Sequence, residues 1–156
     1  MFPTPFRVPL KASANAAGET CTQSFGTLNR SGAIIGNGSQ NVICVQNIAL
    51  GGGATLTLSG SASDTFIINI TGSISMGGGS RIVVAGGLSP ANVLYNVKGA
   101  GANLVIGGAS RVDGTILAIS RNMDLSAGIV NGSVISGRDI NIGSGEQVRC
   151  PRIPKK

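Results

Sequence analysis

From about Gly32 onward the chain breaks into short segments of four to six residues in which apolar and polar positions alternate, separated by Gly-Gly, Ser-Gly or Asn-Gly pairs. Period-two alternation bounded by turn residues predicts half-buried strands. These strands sort into three columns that recur in the same order. The first column holds residues 65–70, 92–97, 115–118 and 133–136; the second holds 73–76, 103–106, 122–125 and 139–142; the third holds 80–83, 110–113, 128–131 and 146–149. Residues 41–58, with the apolar run Val42 to Val45 and the alternation Thr55-Leu56-Thr57-Leu58, supply an earlier coil.

Like positions in the first column step by 27 residues (Ile67 to Leu94), then 23 (Leu94 to Leu117), then 18 (Leu117 to Ile135). Three short strands and three tight corners fit a coil of about 18 residues. The longer first step carries an excursion at Gly86-Gly87-Leu88-Ser89-Pro90. The pattern therefore predicts an all-β chain: a triangular parallel β-helix, or β-solenoid, with an extended N-terminal arm. A single coil cannot bury its inward side chains, but stacked coils form continuous apolar ladders.

The division expected along the chain is an arm over residues 1–30, a solenoid over 31–150 and a basic C-terminal tail over 151–156. Pro3, Pro5 and Pro9 enforce extension in the arm, and the Ala-rich stretch 11–22 has room for a short helix at most.

Composition narrows the function classes. Of 156 residues 25 are Gly, 3% are aromatic, 12% are charged and 42% are hydrophobic, which is too apolar for a disordered chain. Net charge is +6, and much of it crowds the ends at Arg7, Lys11, Arg149, Arg152, Lys155 and Lys156. Nucleic-acid binding would need a basic stripe interleaved with aromatics, and none is present. No stretch approaches the roughly 18 consecutive apolar residues of a transmembrane segment. The start, Met1 to Arg7, lacks the apolar region of a signal peptide, so export runs through a leader outside this numbering or by another route. Cys21, Cys44 and Cys150 are too far apart for a zinc or redox motif; they allow one disulfide with one thiol left over. Cys44 sits in an apolar run and reads as an inert buried thiol, while a bridge from Cys21 or Cys150 would pin an end of the stack.

Catalysis has little to draw on: there is no His, the six carboxylates are scattered, and no GxSxG elbow or phosphate loop occurs. The chain is expected not to be an enzyme. Asp113, Asp124 and Asp139 lack the Gly-Gly-x-Gly-x-Asp repeat of calcium-binding solenoids, so no metal and no cofactor are expected.

The run from Thr65 to Val148 resembles the β-solenoid of bacterial ice-binding-like domains and choice-of-anchor A surface domains. The landmarks are Phe66-Ile67-Ile68-Asn69-Ile70, Pro90-Ala91-Asn92-Val93-Leu94-Tyr95-Asn96-Val97, Gly114-Thr115-Ile116-Leu117-Ala118 and Val130-Asn131-Gly132-Ser133-Val134-Ile135. The resemblance implies secretion, a triangular solenoid, and roles in surface attachment or, in one branch, ice binding. A long helix that such domains lay along one solenoid face has no obvious counterpart in this sequence.

Two candidate surfaces follow from the pleat. With Phe66, Ile68, Val93, Tyr95, Ile116 and Val134 inward in the first column, Ile67, Leu94, Leu117 and Ile135 stack outward as an apolar stripe, which the arm would cover with Phe2, Phe6, Val8 and Leu10, in its own molecule or a neighbour. The second column would present an outward polar face of Thr55, Thr57, Ser73, Ser75, Asn103, Asn122, Asp124, Asp139 and Asn141. Its carboxylates argue for a solvated face. Arg81 and Arg111 stack in the third column, which reads as a solvated Arg ladder, with a weak anion or glycan site as the alternative. The function expected from all this is a non-catalytic structural or adhesive protein, extracellular or at the cell surface, a homo-oligomer or an end-to-end filament; the alternative is an ice-binding or glycan-binding module.

Overall fold

The structure, a computed structural model, describes residues 15–149. Residues 15–17 form a helical turn. Strands β1 (Gln23–Leu28) and β2 (Gly32–Ile35) make the first coil, and β3 (Gln40–Leu50) and β4 (Thr55–Ser59) the second. Each later coil has three strands. They are β5 (Thr65–Ile70), β6 (Ile74–Met76) and β7 (Arg81–Ala85); β8 (Val93–Val97), β9 (Leu104–Ile106) and β10 (Arg111–Asp113); β11 (Thr115–Ala118), β12 (Met123–Leu125) and β13 (Ile129–Asn131); β14 (Val134–Ser136), β15 (Ile140–Ile142) and β16 (Gln147–Arg149).

The pairings between coils are parallel, each strand bonding to its counterpart one turn away. One sheet runs β14-β11-β8-β5-β3-β6-β9-β12-β15 and the other β16-β13-β10-β7-β4-β2. Strand β3 explains why the first sheet covers two faces. Its early residues pair with β5 (Val42↔Ile67) and its late residues with β6 (Ala49↔Ser75), so its 11 residues bend round a corner. With the second sheet as the third face the cross-section is a triangle, as the three columns predict. No helix among the described residues is long and apolar enough to cross a membrane.

The inward rows are apolar ladders. Ile43, Ile68, Tyr95 and Ile116 succeed one another on the first face, Ile48, Ile74, Leu104 and Met123 on the second, and Leu56, Ile82, Val112 and Val130 on the third, all buried. Burying such a side chain stabilises by about 1.5–3 kcal/mol. Tyr95 is fully buried without cost to its hydroxyl, which donates to the Asp113 carbonyl oxygen at 2.7 Å; burial pushes its pKa upward.

Three details depart from the sequence reading. First, β1 lies inside residues 1–30, where an arm is expected; its side chains are mostly exposed, so no apolar alternation announces it, and backbone pairing with β3 makes the strand. Second, the register between β8 and β11 is Thr115↔Leu94 and Leu117↔Asn96, a step of 21 residues where like-with-like matching gives 23. A slip of two preserves which side chains face inward. The cause is the corner between β10 and β11, which is Gly114 alone. Its φ is +135°, and a Cβ there would lie 2.6 Å from the Tyr95 ring. Third, Cys44 is not a thiol. It points outward and forms a disulfide with Cys21, with Cα atoms 5.8 Å apart.

Candidate functional site

The outward side of each face is built by the same ladders. On the first face one row is Val42, Ile67, Leu94 and Thr115, and the next is Cys44, Asn69, Asn96, Leu117 and Ile135. The expected stripe is therefore split: Ile67 and Leu94 lie in one row, Leu117 and Ile135 in the other, because of the slip at β11. Between them the Asn96 amide donates to Asn69 at 2.9 Å, and the Asn69 amide donates to the Ala16 carbonyl oxygen at 2.8 Å. Val42, Asn69, Asn96 and Leu117 are buried although they point away from the core. Ile67, Leu94, Thr115 and Ile135 are half-buried. Phe2, Phe6, Val8 and Leu10 lie outside the described residues.

On the second face the central outward row is Ala49, Ser75, Val105, Asp124 and Asn141. Asp124 accepts from the amides of Asn103 (3.0 Å) and Asn141 (2.8 Å), and these bonds hold its pKa below the usual aspartate value. Ser73 donates to the Asn103 carbonyl oxygen at 3.1 Å, and the Asn122 side-chain oxygen accepts the Asp139 amide N–H at 3.3 Å. Ser73, Ser75, Asn103, Asn122, Asp124, Asp139 and Asn141 thus share a polar, partly charged edge and face.

Thr55 and Thr57 do not join them. They lie on β4 in the second sheet, on the third face, where the rows read Ala33, Thr57, Val83 and Ile35, Ser59, Ala85, with Thr55 over Arg81. The step from Ile43 to Ile68 is 25 residues, and applying it to Thr57 lands beside Val83, so the signal was present in the unequal coil lengths. The upper part of this face is an uncharged patch of methyl and hydroxyl groups, with Ala33, Ile35 and Ala85 exposed and Thr55, Thr57, Ser59 and Val83 half-buried. Below it the rows turn charged and bulky: Arg81, Arg111, Ile129 and Gln147 in one, Asp113, Asn131 and Arg149 in the next.

Two buried polar groups hold the corners. Asp64, 2% exposed, accepts from the amide N–H groups of Gly38 and Ser61 (both 2.7 Å), the Asn41 amide (2.9 Å) and the Ser61 hydroxyl (3.0 Å). These donors, the Ser61 amide first, bring its pKa down to about 2. Gly36 leaves the carboxylate room, since a Cβ there would sit 2.7 Å from Oδ1. Arg121, also 2% exposed, donates to the carbonyl oxygens of Gly99 (2.8 Å), Ala102 (3.0 Å), Lys98 (3.2 Å) and Thr71 (3.4 Å), and burial lowers its pKa. Neither residue was singled out from the sequence, because a lone Asp or Arg carries no spacing.

Residues 10–148 match the model of the family described as "Ice-binding-like adhesive domain". The chain belongs to this family. Among curated relatives of this ice-binding-like chain, ice-binding protein K3-B1 of Typhula ishikariensis is 36% identical over 70 residues, 45% of this chain and 28% of that protein. The ice-binding protein of Flavobacterium frigoris (strain PS1) is 30% identical over 81 residues, 52% of this chain and 28% of that protein. The chain thus spans under a third of the length of these relatives. Two solved structures share the fold. A glycosylated ice-binding protein from an Arctic yeast aligns with TM-score 0.80 at 21% identity, over 99% of this chain and 67% of that one. The ice-binding protein of the Antarctic ascomycete Antarctomyces psychrotrophicus aligns with TM-score 0.76 at 17% identity, over 96% and 70%.

These likenesses correct the expected function. Where a structural or adhesive protein assembling end to end into filaments is expected, each of the four relatives is named for ice binding, which favours the alternative reading. Apolar ladders hold a stack of coils together whatever its outer face binds, so they do not distinguish the two functions.

Proposed function

We propose that this ice-binding-like domain binds ice through the third face, outside the cell, using the uncharged patch of Ala33, Ile35, Thr55, Thr57, Ser59, Val83 and Ala85. The observation that carries this reading is the stacking of methyl-bearing and hydroxyl side chains in two straight uncharged rows, Ala33, Thr57 and Val83 beside Ile35, Ser59 and Ala85. Rungs repeat at about 4.7–4.9 Å along the stack, a regular lattice on which water can be held in order. Methyl groups leave that water nothing to bond sideways, and the hydroxyls anchor it. The names of the curated relatives support the same reading, and the Cys21–Cys44 disulfide supports an oxidising compartment.

The test is thermal hysteresis of purified protein. Thr57→Tyr, which breaks the flat row at its centre, should abolish most of the hysteresis while circular dichroism stays unchanged; Ser75→Tyr on the second face should leave it intact. The reverse outcome would move the function to the polar face of Ser73, Ser75, Asn103 and Asp124.

The first face has a different task in this reading: the residues that precede Ala16 cover it within the same molecule, continuing from the Asn69 to Ala16 bond. Removing residues 1–12 should then lower the melting temperature and expose dye-binding apolar surface. An unchanged melting temperature would reject that cover.

A further inference from the structure

Arg81 and Arg111 occupy adjacent rungs in direct register on the third face, and both are exposed. Like charges opposite one another across a ladder repel. Only one of them is answered. Arg111 pairs with Asp113 through Nε (2.9 Å) and Nη2 (3.4 Å), whereas Arg81 takes no part in an ion pair among the described residues. The two guanidiniums line a groove of about 340 Å³ with Ser110, Gly128, Ile129 and Gln147. At its wall the Ser110 hydroxyl is buried and has no hydrogen-bond partner, an unfavourable state for a polar group. Glu146 does not line the groove; its Oε2 accepts the Gly128 amide N–H at 2.8 Å.

We propose that this groove is an oxyanion site, in which a carboxylate, sulfate or phosphate group bridges the Arg81 and Arg111 guanidiniums beside the Ser110 hydroxyl. Guanidinium forks match such groups in two-point geometry. A bridging anion would relieve the repulsion between the rungs, and the net charge of +6 favours its approach. The oxyanion could belong to an acidic polysaccharide or be free in solution; the chemistry of capture is the same. The site lies below the uncharged patch and stands independently of ice binding.

Calorimetric titration with sodium sulfate and, separately, with a polyuronate oligosaccharide tests it. Saturable one-to-one binding is expected; tighter binding of the oligosaccharide would assign the polymer as the source, and equal binding a free anion. Arg81→Gln should weaken binding roughly tenfold or more with the circular dichroism unchanged. Ser110→Ala should weaken it in the same direction without loss of thermal stability. Lys98→Gln removes one positive charge away from the groove and should bind as the unaltered protein does. Absence of saturable binding for both probes, or a loss in Lys98→Gln equal to that in Arg81→Gln, would overturn the site.

Discussion

The second and third coils and the last coil are built to the same plan, yet they differ in how completely that plan closes. In the upper coils the inward side chains are sealed: Ile43, Ile68 and Ile74 are at most 1% exposed, and Asp64 stitches the corner at 38–41 to the corner at 61–64. In the last coil the equivalent inward residues, Ile140, Ile142 and Val148, are 36%, 63% and 42% exposed, because no further described coil stacks beneath them. Sequence alternation is equally good in both places. What differs is the neighbour, so in a solenoid stability belongs to the interface between coils more than to the coil.

The widest gap should come from trimming one methyl-rich side chain in each region. Ile68→Ala opens a cavity in a filled ladder and should cost about 2–5 kcal/mol, whereas Ile142→Ala should stay within about 0.5 kcal/mol; equal losses in urea titrations would mean that the end coil is as well packed as the middle. Next comes the staple. Cys44→Ser opens the 23-residue link to Cys21 and should destabilise by roughly 3 kcal/mol, and hydrogen exchange should quicken in β1 and β2 while β12 to β16 keep their rates. The smallest effect is set by pH. Asp64 titrates at about 2 when folded against 3.8 ordinarily, so its contribution is complete above about pH 4 and is lost as the pH falls through 2. Asp64→Asn should flatten that part of the stability curve, and melting temperatures between pH 5 and pH 2 that fall as steeply as before would discount the network.

The columns were legible because inward β-branched residues recur between glycine corners, and a period of two survives any corner length. Register was not. It depends on how many residues each corner consumes, and Gly114 consumes one where the corner at 86–92 takes seven, so matching Leu94 to Leu117 by likeness missed the true partner Thr115. The same uncertainty sent Thr55 and Thr57 to the second face, and with them the candidate patch. The disulfide and the Arg121 corner were silent for a different reason: each joins residues by the way coils stack, and a single linear spacing does not record that.

The segment from Gly86 to the turn at Pro90–Asn92 is longer than the other corners yet does not disturb the stack: Leu88 tucks into the core, and β7 and β8 both keep full register with the coil before them. Chain length at that corner is therefore uncoupled from the lattice of rungs. A foreign peptide grafted there would be displayed on a rigid rod, and several such rods with inserts at chosen corners would form a ruler whose marks are set by the rung spacing alone.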